Sequence, residues 1–347
     1  MPGLTVIWGR AFLGHAPRSD HPENPKRAEV ALEALRRRGL VGEVVEPLVA
    51  DEEDLLEIHD RDYVELVRLL SNAAPSHIDE DTYVSSDTYF VAAAAFGSSA
   101  LAAELSLKRG EPVIALVRPP GHHAGRRGRA MGAPSQGFCV FNNAAAACAR
   151  LLEHGDVAVI DFDAHHGNGT QEIFHRDPRV LHVDLHQHPD TLYPGTGYPH
   201  EVGEGEARGT KVNVPLPPDS GDDVYERAIE EIVKPVIEQF EPASLVFSAG
   251  FDAHLGDGLA SLRATSSTFR ALGELAARGR WRAVVAVLEG GYSIGLELGL
   301  PAFAAGLLGL DEIYSRPTHT WGRAREEAER CLDEVKRVLS RYWALRS

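Results

Sequence analysis

Five short apolar runs, 113–117, 157–162, 180–185, 245–248 and 283–288, recur along the chain with Ala/Leu/Glu/Arg-rich stretches between them. No other feature restricts the fold as much. The runs read as continuous rather than alternating, the pattern of parallel strands covered on both faces. Residues 4–8 make a sixth strand candidate, and 143–152, 222–240 and 267–278 carry helical patterns. Strand–helix alternation at this interval predicts an α/β fold, an open, mostly parallel sheet with helices on both faces. A chain of 347 residues buries such a core without covalent staples. No repeat, linker or low-complexity tract divides it, so a single domain over 1–347 is expected. At the C-terminal end Leu332, Val335, Leu339 and Tyr342 keep helical spacing, predicting a helix over 323–345 with one face on the body. Residues 121–137 and 189–209 resist assignment, and long irregular loops are usually functional.

Composition excludes several classes of partner. Fifty-one acidic residues against 35 basic give a net charge of −16, which disfavours nucleic acid and anionic membranes. The longest weakly polar stretches, 91–103 and 299–310, fall short of the ~20 residues a spanning helix needs. Residues 4–8 are too few for a signal-peptide core. Cys139, Cys148 and Cys331 cannot all pair, so a reducing compartment is expected. The expected location is cytoplasmic, and the sequence leaves oligomeric state open.

In open α/β sheets the ligand crevice lies beyond the carboxyl ends of the strands, and four runs end in reactive residues. After 157–160 comes DFDAHHGNGT. Alternate residues of an extended segment share a face, so Asp161, Asp163 and His165 can enter one crevice and chelate a divalent cation. After 245–248 comes AGFDAH, whose Asp252 can complete a three-ligand site. After 113–117 comes RPPGHH, where His122 and His123 suit proton transfer near neutral pH. After 283–288, Glu-Gly-Gly precedes Tyr292, whose hydroxyl can project into the site. Each signal alone has an ordinary alternative: a capping Asp, a solvated His pair, a packed Tyr. Together they describe metal-assisted hydrolysis.

This combination resembles the histone deacetylase superfamily, which also contains acetylpolyamine amidohydrolases and acetoin-utilisation proteins. The matching runs are HPENPKR (21–27), RPPGHHA (118–124), GFCVFNNAA (137–145), DFDAHHGNGT (161–170), YPGTG (193–197), SAGFDAH (248–254) and LEGGY (288–292), in consistent order over about 15–310. The resemblance implies one catalytic zinc ion on Asp163, His165 and Asp252, with His122 and His123 as tandem histidines and Tyr292 polarising the carbonyl. It places Asp161 and Asn168 behind the two histidines, the Asn as in the class II and prokaryotic branch. Phe138 and Tyr193 match the aromatic pair lining the acyl tunnel, Gly137 is a further substrate-binding position, Leu259 stands at the rim, and Arg27 matches an arginine at the inner end. A potassium ion, held mostly by backbone near Asp161–His165 and Leu185, is also implied. The implied substrate is an acylated amine: acetyl-lysine, an acetylpolyamine or a small amide. Two oxygens and a nitrogen are less zinc-selective than thiolates, so ferrous iron or cobalt also suits the site.

Two rival readings remain. An arginase-like ureohydrolase needs two metals and further carboxylates, where this chain has Gly167 and His254. A catalytically silent binder of acetylated ligands would lack some of the residues just named. The Arg-rich segment 125–137, with Arg126, Arg127 and Arg129, resembles an insertion of some prokaryotic members and can either shape the tunnel mouth or sit solvated.

Overall fold

The computed structural model describes residues 3–277, 279–310 and 315–345. Among the described residues, eight strands form one sheet: β1 (Leu4–Ile7), β2 (Val41–Val45), β3 (Val113–Ala115), β4 (Val157–Asp161), β5 (Val180–Gln187), β6 (Lys211–Leu216), β7 (Ser244–Ala249) and β8 (Ala283–Leu288). Their spatial order is β6-β5-β4-β7-β8-β3-β1-β2, and every neighbouring pair is parallel. All six expected strands are present. The two additional ones, β2 and β6, are the sheet edges, and neither reads as an apolar run. β2 (VGEVV) is partly exposed, and β6 opens on a lysine and contains Pro215, which an edge strand tolerates because one side of its ladder is free.

Strand β5 departs from the expected continuous apolar pattern. Its sequence VLHVDLHQ alternates, yet every residue is buried. The polar set His182, Asp184 and His186 shares a face with Asp161, because Asp184 pairs with Asp161 across the ladder. Parallel strands are covered on both sides, but the cover here is polar on one of them.

Helices Lys26–Arg37, Ser266–Ala277 and Gly322–Leu339 contribute to the apolar layer on one side of the sheet. So does the helical stretch that starts at Asp222, passes through a wider turn at Ile229–Val233 and ends at Phe240. On the other side lie Glu52–Ile58, Arg61–Asn72, Thr88–Arg109 and Asn143–Leu152. The expected helix 267–278 is the one at Ser266–Ala277, with Arg278 outside the described residues. The expected helix 323–345 stops at Leu339. Tyr342 and Trp343 follow in a turn that folds back, so Trp343 Nε1 donates to the Gly209 carbonyl at 2.8 Å.

The stretch 91–103 belongs to a helix of 22 residues, Thr88–Arg109, long and apolar enough by length and composition to cross a membrane. Two-thirds of its apolar window, 67%, is buried inside the protein, against Asn143–Leu152 and the sheet. Its small side chains (AAAAFGSSA) are what allow that close packing. Residues 121–137 contain one small hairpin, Ala124–Gly125 with Gly128–Arg129, and 189–209 contain several turns and one short 3-10 helix, Gly205–Ala207.

Candidate active site

The four strands whose ends carry reactive residues are neighbours at the centre of the sheet, in the order β4, β7, β8, β3. Their C-terminal ends therefore open into one crevice. Glycines make the convergence sterically feasible. A Cβ on Gly250 would lie 2.1 Å from Asp163 Oδ2, and one on Gly290 would lie 2.3 Å from the same atom and 2.6 Å from Asp252 Oδ2.

Asp163, His165 and Asp252 each offer one ligand atom, all within 4.8 Å of one another. The carboxylates are oriented by backbone donors. Gly290 N–H reaches Asp163 Oδ2 at 2.7 Å, and Ala164 N–H reaches Asp252 Oδ1 at 2.8 Å. Asp252 Oδ2 lies 2.9 Å from His165 Nδ1, yet it is buried and has no partner in hydrogen-bond geometry. Burial and the neighbouring Asp163 carboxylate push Asp252 up to about 6. Two buried carboxylates held this close repel each other, and two oxygens with one imidazole nitrogen form a donor set that fits a divalent cation.

The two histidines are adjacent in sequence, with ring centroids 4.0 Å apart, but they occupy opposite electrostatic environments. His122 Nδ1 meets Asp161 Oδ2 at 3.0 Å. Burial opposes its cationic form, but Asp161, with Asp163 and Glu289, outweighs that and holds His122 well above the usual imidazole value. His123 Nδ1 meets Asn168 Oδ1 at 2.7 Å. The Asn168 amide is itself oriented, because its Nδ2 donates to the Ala130 carbonyl at 2.9 Å. Burial, then the fields of His122 and His165, hold His123 well below the usual value. With Nδ1 donating to Asn168, the lone pair falls on Nε2.

Tyr292 stands beside Phe138 in an edge-to-face pair at 5.9 Å and under the Arg27 guanidinium, 4.6 Å from its ring centroid. Among the described residues its hydroxyl has no hydrogen-bond partner. Tyr193 packs edge-on against His123 at 4.9 Å and is fixed by its hydroxyl donating to Ser135 O at 2.9 Å. Gly137 lies at φ +53°, and a Cβ there would meet His123 Cδ2 at 2.6 Å and Tyr193 Cε1 at 2.8 Å. Only glycine lets those rings approach. Leu259 is half-buried on the loop that follows Asp252. Arg126, Arg127 and the β-hairpin residue Arg129 are solvent-facing; the hairpin segment serves the site through the Ala130 carbonyl that orients Asn168.

Several residues at the site gave no readable signal because their partners are backbone or distant in sequence. Glu289 Oε2 accepts from Gly121 N–H at 2.7 Å and His122 N–H at 3.2 Å, clamping the histidine turn. Glu23 is fully buried and pairs with both Arg118 and Arg27, and Arg27 in turn donates to the carbonyls of Gly291 and Glu289. A second group, Asp161, His182 and Asp184, also brings three ligand atoms within 4.8 Å. The alternation in β5 was the available clue to it.

The comparisons with known proteins agree with this geometry. The histone deacetylase domain model matches residues 21–303. A probable deacetylase of Archaeoglobus fulgidus is 38% identical, covering 97% of this chain and 98% of its own. The histone deacetylase-like amidohydrolase of Pseudomonas aeruginosa is 36% identical over 82% of this chain and 74% of its own. The crystal structure of the HDA15 HD domain superposes with a TM-score of 0.86 at 31% identity, covering 99% of this chain and 95% of that one. With the fold, the strand-end cluster and these matches in agreement, the chain belongs to the histone deacetylase family of deacetylases and amidohydrolases.

Proposed function

We propose that this chain is a zinc-dependent amidohydrolase that removes the acyl group from an acylated amine, with one zinc ion held by Asp163, His165 and Asp252. The observation that carries the reading is the cluster itself: two buried carboxylates and the His165 imidazole, with ligand atoms all within 4.8 Å of one another and His165 Nδ1 facing both carboxylates at 2.9 and 3.0 Å. When bound there, zinc supplies Lewis acidity to the amide carbonyl and lowers the pKa of water towards neutrality. His123, neutral and with Nε2 free, takes the proton of the attacking water. His122, kept cationic by Asp161, stabilises the negative charge that develops beside it. The Tyr292 hydroxyl donates to the carbonyl oxygen as it becomes an oxyanion. Phe138 and Tyr193 flank the acyl chain, and Gly137 leaves it room. Protonated His123 then returns its proton to the leaving amine. We also assign a structural potassium ion to the neighbourhood of Asp161 and Asp184, where buried carboxylates gather under the histidine turn.

Two features weigh against the rivals. Gly167 offers no ligand, and His254, whose Nδ1 faces the Leu255 carbonyl at 2.9 Å, is not among the groups that gather within 4.8 Å at Asp163, His165 and Asp252, so an adjoining arginase-type metal lacks donors. A silent binder has no use for a neutral His123 held in a fixed tautomer. Leu259 at the rim supplies no charge for a distant ammonium, which favours acetyl-lysine peptides and simple amides over acetylpolyamines. The test is chelation followed by zinc titration, with bound metal and turnover of an acetyl-lysine amide both measured. One zinc ion per chain with activity returning in step supports the reading; two transition metals per chain, or activity in the stripped protein, refutes it. In the reloaded enzyme Tyr292→Phe should lower kcat by roughly 10²-fold or more.

A further inference from the structure

A carboxylate close to the mouth of an amidohydrolase tunnel invites the role of reading a cationic substrate, and Asp257, five residues after Asp252, is the obvious candidate. Its side chain is engaged elsewhere. Asp257 Oδ1 accepts the Tyr292 N–H at 2.8 Å, and Oδ2 accepts the N–H groups of Ser293 at 3.0 Å and Gly295 at 2.9 Å. The connection is doubled by the Ser293 hydroxyl, which donates to the Asp257 carbonyl at 3.0 Å. Asp257 is in turn tied to its own loop through its N–H on the His254 carbonyl at 2.9 Å. The residue is 6% exposed.

We infer that Asp257 is a positioning residue that fixes Tyr292 relative to the metal-ligand loop, and not a rim acid that recognises substrate charge. The inference rests on the proposed role of the Tyr292 hydroxyl as oxyanion donor. Residues 292–295 are where the chain leaves β8 and enters the helix Gly295–Leu307, so their N–H groups are the orphan donors of a helix start. One carboxylate satisfies three of them, and its negative charge suits that end of the helix. The approach is close enough to demand glycine: a Cβ on Gly295 would lie 2.0 Å from the Phe251 carbonyl oxygen and 2.8 Å from Asp257 Oδ2. Arg27 and Phe138 hold the phenol ring at its face and edge, while Asp257 sets the backbone from which the ring projects. An oxyanion donor acts by being in place before charge develops, and displacement of a catalytic group by about 1 Å can cost on the order of 10²-fold in rate.

The experiment is a double-mutant cycle on the zinc-loaded enzyme with wild type, Asp257→Asn, Tyr292→Phe and the double variant. Asn presents one acceptor oxygen where three N–H groups converge, so the clamp opens without loss of volume. Asp257→Asn is expected to lower kcat by about 10-fold or more, with KM for an acetyl-lysine peptide and the metal content unchanged. In the Tyr292→Phe background the same substitution should cost little further, because the two changes remove one function. Multiplying losses, or a loss confined to KM of cationic substrates, overturns the inference. Tyr292→Phe with wild-type kcat would instead sink the oxyanion role itself. Hydrogen exchange reports the clamp independently of chemistry: the amides of 292–295 should lose protection in Asp257→Asn while the central strands keep theirs. Unchanged protection at those amides overturns the inference whatever the kinetics show.

Discussion

Strands β4, β5 and β6 present two faces of different chemistry. One carries Ala158, Ile160, Leu181, Val183, Leu185, Val212 and Val214; the other carries Val157, Val159 and Val180 towards the start of β4 and β5, and beyond them a polar group of Asp161, His182, Asp184, His186, Lys211 and Asn213. Both faces are buried to within 1%. On the apolar face each large side chain stabilises the fold by removing area from water, ~1.5–3 kcal/mol apiece. On the polar face each group must find a partner or cost about 1–3 kcal/mol. Most do. Asp184 meets His186 Nδ1 at 2.6 Å and the Gly167 N–H at 2.8 Å, and Lys211 Nζ donates to Val180 O and Thr210 Oγ1, both at 2.7 Å. His182 does not: neither ring nitrogen has a partner, and it sits in the second three-residue cluster with Asp161 and Asp184. Burial alone therefore does not distinguish core from site. An account of polar partners does.

Neighbouring residues on opposite faces give the sharpest way to break this contrast. Asp161→Asn removes the charge that keeps His122 cationic, and kcat should fall by roughly 10²-fold or more, the scale of losing an electrostatic stabiliser, while one metal per chain remains bound. Its neighbour Ile160→Ala should instead cost about 2–5 kcal/mol of unfolding free energy through lost contacts and a cavity, with kcat per folded molecule unchanged. Urea melts and active-site-normalised kinetics on the pair decide. If Ile160→Ala lowers kcat as far as Asp161→Asn does, the two faces are not functionally separate.

The smallest expected effect concerns Lys211. Burial lowers its ammonium to about 7 from an ordinary 10.5. Between those values the unfolded chain binds a proton that the folded chain does not, so this group makes stability rise with pH across the window. Below about pH 7 both states are protonated, the slope vanishes and the full penalty remains. Lys211→Met should therefore flatten the rise of stability from pH 7 to 10.5, whatever it does to the absolute value. Unfolding free energies of both proteins at several pH values in that range test it, and parallel curves refute it.

The strand ends were legible in the sequence because their apolar runs were long and β-branched. DFDAHH, RPPGHH and SAGFDAH each follow such a run, so the sequence alone marks where the crevice lies. Strands β2 and β6 were not legible, since edge strands carry polar residues and, in β6, a proline. Glu289 was legible only as part of the LEGGY motif, and the clamp made by Asp257 was not legible at all. Their partners are backbone N–H groups, which leave no mark on residue type. The tautomer of His123 likewise depends on which way the Asn168 amide faces, and that is set by the Ala130 carbonyl in the hairpin segment.

The sequence by itself determined an α/β sheet of parallel strands and the residues that gather at its carboxyl edge, because hydrophobic periodicity and strand direction are local properties. Tertiary structure alone decided which strands are neighbours, and hence that β4, β7, β8 and β3 place their ends in one crevice. It also decided the opposite electrostatic settings of His122 and His123, two identical side chains in one turn. Charge state depends on burial and on what lies within a few ångströms: the Asp161 carboxylate that holds His122 cationic comes from 39 residues away, whereas His123 meets the uncharged Asn168, from 45 residues away, and is left to burial and the fields of His122 and His165.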